Sequence, residues 1–204
     1  QRNSHQLLRS EHRSGCANGG AGDGGTVCGS FEIYQTIGDD SLREVLMMRF
    51  SEIHLKGLNR PYFMRMLVER VKEAVKDVHG HVWLSDSRVY VSDFDDVEEA
   101  LRRTRKVFGV HSVCRAVEMD KEDFNGICEE AVKLLADKQG TFKVEARRSD
   151  KRFAMDSMEL NRELGHYILQ KLPHLQVDVH NPQTRLSLEI RDHAYLYTEP
   201  LSAV

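Results

Sequence analysis

Five cationic residues lie within a stretch of twelve, and their types suit the binding of phosphate groups. The stretch runs from Thr141 to Arg152 and contains Lys143, Arg147, Arg148, Lys151 and Arg152. Arginine offers a planar fork of donors that matches phosphate oxygens and can also reach base edges. Two acidic residues, Glu145 and Asp150, oppose this charge. The cluster indicates either a nucleic-acid contact or a solvated loop that keeps the chain soluble.

A second polar group precedes a predicted helix. Lys56, Asn59 and Arg60 follow or flank Gly57, and Pro61 suits a first helical position, with Asn59 available as the helix cap. Backbone N–H groups at a helix start, joined by two cations, can bind phosphate. The alternative is a surface loop whose charge is incidental.

Several other chemically capable side chains fit structural roles better. Glu52 and His54 suit an exposed strand end, since no nucleophile or metal set accompanies them. Phe153 could stack on a base, but a core position suits it better. Cys114 and Cys128 fall on apolar faces, where a free cysteine behaves as a small hydrophobe rather than a sulfur carrier.

Three more arginines and two tyrosines complete the candidates. Arg185 is predicted to widen the basic surface, whereas Arg162 and Arg191 are predicted to pair with acidic neighbours. Tyr195 and Tyr197 alternate with an apolar residue near the C-terminus, which favours packing over base stacking.

The elements that must position these residues follow two successive patterns. The first half predicts the order β-α-β-β-α-β of a ferredoxin-like unit. Its elements are a strand over 45–50, a helix from Pro61, strands over 81–84 and 88–91, a helix capped by Asp95 or Asp96, and a strand over 110–117.

The second half predicts a mixed α/β module that places the cation cluster at a strand end. Its elements are a helix from Asp120 or Asp123, a strand over 141–146, a helix with capping-box spacing at Asp156 and Glu159, and short strands over 177–179, 186–190 and 194–197. The predicted fold class is therefore α+β.

Composition narrows the classes further. The 204 residues carry a net charge of -3, so a nucleic-acid footprint has to be a local patch. The four cysteines form no C-x-x-C pair and no zinc pattern. No apolar run approaches the roughly 20 residues of a membrane span, and no signal peptide is evident, which predicts a cytoplasmic protein.

The first 42 residues predict a disordered leader. Half of the chain's 14 glycines fall between Gly15 and Gly29, and such a segment cannot bury enough apolar area to offset its conformational entropy. The run from Gly20 to Gly25 matches G-x-G-x-x-G, but it lacks the strand and helix that a dinucleotide site requires.

Two runs of sequence, in this order, resemble a known family. Met48–Phe63 (MRFSEIHLKGLNRPYF) is followed about ninety residues later by Phe142–Phe153 (FKVEARRSDKRF). Together they resemble the N-terminal half of tRNA 4-thiouridine synthases, which are ATP-dependent tRNA sulfurtransferases, from about Val45 to about Tyr197. The resemblance implies a ferredoxin-like domain over 43–117 and a THUMP RNA-binding domain over 118–204.

The resemblance also implies a role and a set of binding residues. The THUMP domain would hold the acceptor end of tRNA, with its single-stranded 3' tail, for a catalytic domain expected beyond Val204. From charge and resemblance together, the residues predicted to bind nucleic acid are Arg147, Arg148, Lys151, Arg152, Lys56, Asn59, Arg60, Lys143 and Arg185.

No catalytic or metal-binding residue is expected in this chain, and no cofactor. The sequence holds neither G-x-x-x-x-G-K-[ST] nor the Ser-Gly-Gly-x-Asp-Ser loop that binds ATP phosphates in the resembled family. The resemblance implies that ATP, a persulfide sulfur donor, a cysteine desulfurase partner and a homodimer belong to the full-length protein. It also implies that any thiamine-pathway role rests on parts beyond this chain, which alone should bind without catalysing.

Two alternatives stay open at this point. THUMP modules also occur in RNA methyltransferases and pseudouridine synthases, although the run Arg49–Phe63 favours the thiouridine synthases. The chain's net acidity instead suits a ferredoxin-like interaction module without RNA affinity. The sequence does not indicate which uridine would be modified.

Overall fold

The computed structural model describes residues 42–50, 59–85 and 88–198, and the strand backbone of 201–202. Its strands are β1 (Arg43–Phe50), β2 (His81–Ser85), β3 (Arg88–Ser92), β4 (Val110–Met119), β5 (Thr141–Arg148), β6 (Gln176–Val177), β7 (Thr184–Ile190), β8 (Ala194–Tyr197) and β9 (Leu201–Ser202). Its helices are α1 (Arg60–Val75), α2 (Val97–Thr104), α3 (Phe124–Leu135) and α4 (Ser157–Lys171), with a 3₁₀ turn over Lys76–Val78. The predicted leader lies outside the described residues, except for Leu42.

The strands form one sheet in the order β2-β3-β1-β4-β8-β7-β5-β6, and β9 pairs with β4. The first half has the predicted order β-α-β-β-α-β, with β1 between β3 and β4, so the ferredoxin-like prediction is confirmed. In the second half β5 pairs with β7 in parallel, and β7 pairs with β8 in an antiparallel hairpin. The mixed α/β prediction is confirmed as well.

Strand β4 joins the two halves into a continuous sheet. It pairs along its length with β1, from Arg43↔Glu118 to Phe50↔Val110. Its last residues also pair with β8, from Val117↔Leu196 to Met119↔Ala194. The sequence pattern predicted a strand of eight residues here, and the observed strand has ten. The two extra residues take part in the pairing between the halves.

All four helices pack on one face of this sheet. Helices α1 and α2 cover alternate residues of β1, β3 and β4, including Leu46, Met48 and Val91. Helices α3 and α4 cover alternate residues of β5, β7 and β8, including Phe142 and Leu188. The helices therefore protect an apolar face from water, as the periodicity predicted.

Local capping explains where three of the helices begin. The Asp96 carboxylate accepts hydrogen bonds from the backbone N–H of Glu98 and Glu99, so Asp96 rather than Asp95 caps α2. Asp123 likewise caps α3. The capping box predicted from Asp156 and Glu159 is present at α4.

The first helix departs from its prediction. It begins at Arg60 rather than at Pro61, and the Asn59 side chain makes no capping hydrogen bond. The backbone of Asn59 is helical, with φ -84° and ψ -3°. A capping side chain normally sits on extended backbone, so the prediction that Asn59 caps α1 is wrong.

The other face of the sheet carries a second apolar cluster built from strand residues. Its buried members are Val45, Met47, Tyr90, Cys114, Ala116, Tyr195 and Tyr197. The ring of Tyr90 stacks on Trp83, with centroids 5.2 Å apart, and on Tyr195, with centroids 5.0 Å apart. We call this group the strand-face cluster.

These ring contacts show that the sheet is strongly curved. Tyr90 lies on β3 and Tyr195 on β8, and both β1 and β4 lie between them. In a flat sheet three strand spacings would separate them by about 14 Å. A hydrogen bond of 2.9 Å between Ser85 Oγ and Asp192 Oδ2 likewise joins the β2–β3 hairpin to the β7–β8 turn. The sheet therefore curls around the strand-face cluster.

A buried carboxylate sits beside this cluster and links the two halves. Glu189 on β7 is 2% exposed. Its carboxylate accepts hydrogen bonds from Arg88 at 2.9 Å, Arg49 at 3.2 Å, Arg191 at 2.9 Å and the Tyr197 hydroxyl at 2.7 Å. Burial raises the pKa of Glu189, but the arginines and the hydroxyl outweigh burial and hold the pKa below its ordinary value of 4.5.

We expect Glu189→Gln to lower the free energy of unfolding by about 3 kcal/mol, because it leaves three guanidinium groups without their shared anion. Urea unfolding at neutral pH measures this. Glu145→Gln is the matched control, since Glu145 is half-buried and its ion-pair partner among the described residues is the single cation Lys143. Its loss should therefore cost less than about 1 kcal/mol.

The effect should depend on pH with a definite sign. Because the folded-state pKa of Glu189 is lowered, its stabilisation is present above pH 4.5 and is lost as the pH falls through the folded-state value. The difference between wild type and Glu189→Gln should therefore shrink below pH 4.5. A difference that stays constant or grows in acid would contradict the assignment.

Candidate nucleic-acid interface

Three of the predicted binding residues lie together on the sheet face opposite α4. Lys143 and Arg185 are register partners on the parallel strands β5 and β7, and Arg147 lies four residues further along β5. The alternate residues of β5, such as Val144 and Ala146, pack under the helices. Because side chains alternate along a strand, the three cations point away from the helices.

These cations differ in how they are engaged. Lys143 forms an ion pair with Glu145 at 3.2 Å and is half-buried. Arg147 and Arg185 are exposed, and neither side chain has a hydrogen bond or ion pair with another residue that the structure describes. Their donors are therefore available to a ligand on this face. We call Lys143, Arg147 and Arg185 the basic strand face.

Arg148 lies on the opposite side of β5 and holds the following loop. Its Nη1 donates to the backbone carbonyl of Phe153 at 2.9 Å and to that of Lys151 at 3.4 Å. Arg148 is half-buried. The structure thus separates Arg147 from Arg148, which sequence placed in one cluster, because neighbouring residues of a strand face opposite ways.

The loop over 149–155 presents the remaining two cations of the cluster. Lys151 and Arg152 are exposed, and Arg152 Nε contacts Asp150 Oδ1 at 3.3 Å. The loop is tied to the sheet by the N–H of Ser149, which donates to Ile190 O at 2.9 Å. Phe153 packs, partly buried, against the core under α4, so the core interpretation of Phe153 is confirmed.

The second predicted phosphate group lies elsewhere. Asn59 and Arg60 follow the C-terminal end of β1, and strand register places that end opposite to the end of β5. Lys56 lies outside the described residues, as do Glu52 and His54. The described part of the chain therefore does not bring Asn59 and Arg60 together with the basic strand face.

The remaining arginines and tyrosines have the structural roles that were predicted for them. Arg191 pairs with Glu189 at 2.9 Å, and Arg162 pairs with Glu163 at 3.0 Å. Tyr195 and Tyr197 are each 2% exposed, which confirms packing. Their hydroxyls also donate to carboxylates, that of Tyr195 to Glu118 at 3.0 Å.

Sequence reasoning missed two contacts that organise the site. The partners of Glu189 on β1 and β3 are separated from it by 140 and 101 residues. Lys121 donates to Asp150 at 3.1 Å across a separation of 29 residues. No local pattern signals either pairing, because Glu189 stands at a polar position in the alternation of β7 (TRLSLEI).

Both described cysteines are buried and unpaired with each other. Burial raises the pKa of Cys114 and that of Cys128 to about 11. Within the described ranges, no three His, Cys, Asp or Glu residues are grouped as a metal site. Nor does any helix of that part have the length and apolarity to cross a membrane.

Two family models match the chain. The ThiI ferredoxin-like domain matches residues 45–114, and the THUMP domain matches residues 119–199. A probable tRNA sulfurtransferase of Acetivibrio thermocellus is 42% identical over 173 residues, which are 80% of this chain and 44% of that relative. The chain thus spans less than half the length of this relative.

Two solved structures are similar to most of this chain. A 4-thiouridine synthetase, solved as an RNA complex with bound ATP, is 27% identical with a TM-score of 0.69, covering 79% of this chain and 42% of that one. A Pyrococcus horikoshii protein is also 27% identical, with a TM-score of 0.70, covering 78% of this chain and 55% of that one.

Fold and site together define a chain in which a ferredoxin-like domain is followed by a THUMP domain. Within that class the chain is similar to one part of the tRNA sulfurtransferases, as the resemblance implied, and it spans less than half the length of the Acetivibrio thermocellus relative.

We expect Cys114 and Cys128 to resist alkylation in the native chain. A thiol with a pKa of about 11 is almost entirely protonated at pH 8, and the thiolate is the reactive form. Treatment with iodoacetamide at pH 8, followed by peptide mass spectrometry, should label both residues only after denaturation. Rapid native labelling of either would reopen the sulfur-carrier role.

Proposed function

We propose that this chain is the tRNA-binding part of an ATP-dependent tRNA sulfurtransferase that makes 4-thiouridine. In this role it holds the acceptor end of the tRNA, with its 3' tail, for a catalytic domain outside these 204 residues. The similarity to a probable tRNA sulfurtransferase supports the reaction class, and the neighbouring structure determined with RNA supports the substrate class. ATP, a persulfide donor, a cysteine desulfurase, a cytoplasmic location and a homodimer belong to this proposal for the whole protein.

The basic strand face is the observation that carries the proposal. Arg147 and Arg185 project from neighbouring strands with no acidic partner in the described part of the chain, in a protein whose net charge is -3. Lys143 and Arg147 are four residues apart, which is about 13 Å along a strand. Cations at this separation can contact different phosphates of one RNA strand.

The arrangement suits a backbone contact more than a base code. Cations on a rigid sheet bind phosphates in a defined register, and such contacts position an RNA without reading its sequence. Lys151 and Arg152, on the adjoining loop, can extend the contact toward an unstacked tail. Arg148 contributes indirectly, because its guanidinium holds the loop carbonyls.

We expect Arg147→Ala/Arg185→Ala to weaken binding of unmodified tRNA and to lower the slope of log affinity against log salt by between about 1 and 2, since two phosphate contacts are lost. Fluorescence titration at several salt concentrations measures both quantities. Removal of the tRNA's 3' tail should weaken wild-type binding as well.

The matched control is Arg102→Ala/Lys133→Ala. These residues are exposed on α2 and α3, on the helix-covered side, and their loss removes the same two charges. The control should bind tRNA nearly as wild type does. Equal weakening in both double variants would contradict a defined site, and no tRNA binding by folded wild type would favour the interaction-module alternative.

A further inference from the structure

The loop between β5 and α4 carries its cations in an ordered arrangement that depends on one carboxylate. Asp150 Oδ1 accepts from the backbone N–H of Arg152 at 3.0 Å and from Arg152 Nε at 3.3 Å. The carbonyl of Asp150 accepts from the N–H of Phe153 at 3.4 Å. Asp150 is thus bonded to the two residues that close the turn.

Lys121 ties this turn to the rest of the sheet. It follows β4, and its Nζ donates to Asp150 Oδ2 at 3.1 Å and to Arg191 O, in the β7–β8 turn, at 3.4 Å. The Lys121 side chain is 21% exposed and that of Asp150 is 19% exposed. A largely shielded pair therefore joins three segments: the end of β4, the cation loop and the β7–β8 turn.

The pair is well suited to fix the direction of the loop cations. The Arg152 side chain is 91% exposed, and its Nε contacts Asp150. On the other side of the turn, Arg148 bonds the carbonyls of Lys151 and Phe153. The turn is thus bonded by Asp150 from one side and by Arg148 from the other. The side chains of Lys151 and Arg152 are exposed.

We propose that Asp150 and Lys121 are positioning residues for RNA binding: they hold the Lys151–Arg152 turn in the orientation in which it contacts the RNA backbone. This role rests on the proposed function. Neither residue is required to touch the RNA. Pre-ordering the loop in the free protein spares the cost of immobilising its long side chains on binding.

The sign of one substitution separates positioning from bulk charge. A carboxylate within the cation loop repels RNA, so removing its charge would strengthen binding if electrostatic attraction alone governed affinity. If Asp150 positions the loop, its removal weakens binding. Hydrogen bonds from Arg152 and Lys121 lower the pKa of Asp150 to about 2, so Asp150→Asn removes a full charge at neutral pH.

The experiment compares Asp150→Asn with Glu145→Gln in tRNA titrations on the whole chain. Glu145 lies on β5, the strand that precedes the loop, and its replacement changes the charge equally, but its described partner is Lys143 rather than the loop. We expect Asp150→Asn to weaken tRNA binding roughly fivefold, because the loop must then be ordered on binding. Glu145→Gln should leave binding unchanged or make it tighter.

Lys121 provides the second variant and a readout that affinity alone lacks. Lys121→Gln should weaken binding, and Lys121→Arg, which keeps the charge and the donors, should restore it. Amide hydrogen exchange over 149–153 should accelerate in Asp150→Asn and Lys121→Gln while the free energy of global unfolding stays near that of wild type.

The outcomes distinguish this role from the proposed function. If wild type binds tRNA and Asp150→Asn binds as tightly or more tightly, positioning by this pair is wrong while RNA binding stands. If Lys121→Arg binds tRNA as weakly as Lys121→Gln, the ion pair between Lys121 and Asp150 is not what positions the loop. If folded wild type does not bind tRNA at all, both proposals are overturned together.

Discussion

The buried carboxylate of Glu189 is the constraint around which the two halves are arranged. A carboxylate that is 2% exposed is stable only if cations and donors replace its hydration. Its partners come from β1, from β3 and from the β7–β8 turn, so they meet only when the sheet curls. The Tyr90–Tyr195 stack requires the same curvature. Charge and packing therefore favour a single arrangement of the ferredoxin-like and THUMP parts.

Strand β7 connects the Glu189 network to the candidate interface. Glu189 and Arg147 are register partners on neighbouring strands, and Arg185 lies near the start of the strand that carries Glu189 near its end. A strand anchored by three arginines at one end offers a rigid support for cations along its length. Rigid supports suit backbone recognition, because phosphate contacts act by position.

Sequence predicted the elements well because their signals are local. The capping box at Asp156 and Glu159 spans four residues, and the alternation in β5 spans eight. The cation cluster was also evident from the sequence, but the sequence did not indicate that its members point in different directions. Arg147 and Arg148 look alike in sequence, yet the pleat sends one outward and the other into the loop.

Features that depend on distant partners escaped prediction. The curl of the sheet needs Ser85 to meet Asp192, and the Glu189 network joins residues more than a hundred positions apart. Asn59 failed as a cap because its backbone is helical. Residue type defines what a side chain can do, whereas tertiary contact decides whether it is free to do it.

That distinction resolves the conflict between an acidic chain and an RNA-binding role. Arg49, Arg88 and Arg191 are committed to Glu189, whereas Arg147 and Arg185 are exposed without a described acidic partner. At physiological salt, the interaction between exposed charges is largely screened beyond about 8 Å. Acidic residues on the helices therefore hardly weaken the field at the basic strand face. A net charge of -3 is therefore compatible with a local RNA site, since affinity depends on which cations the fold leaves available.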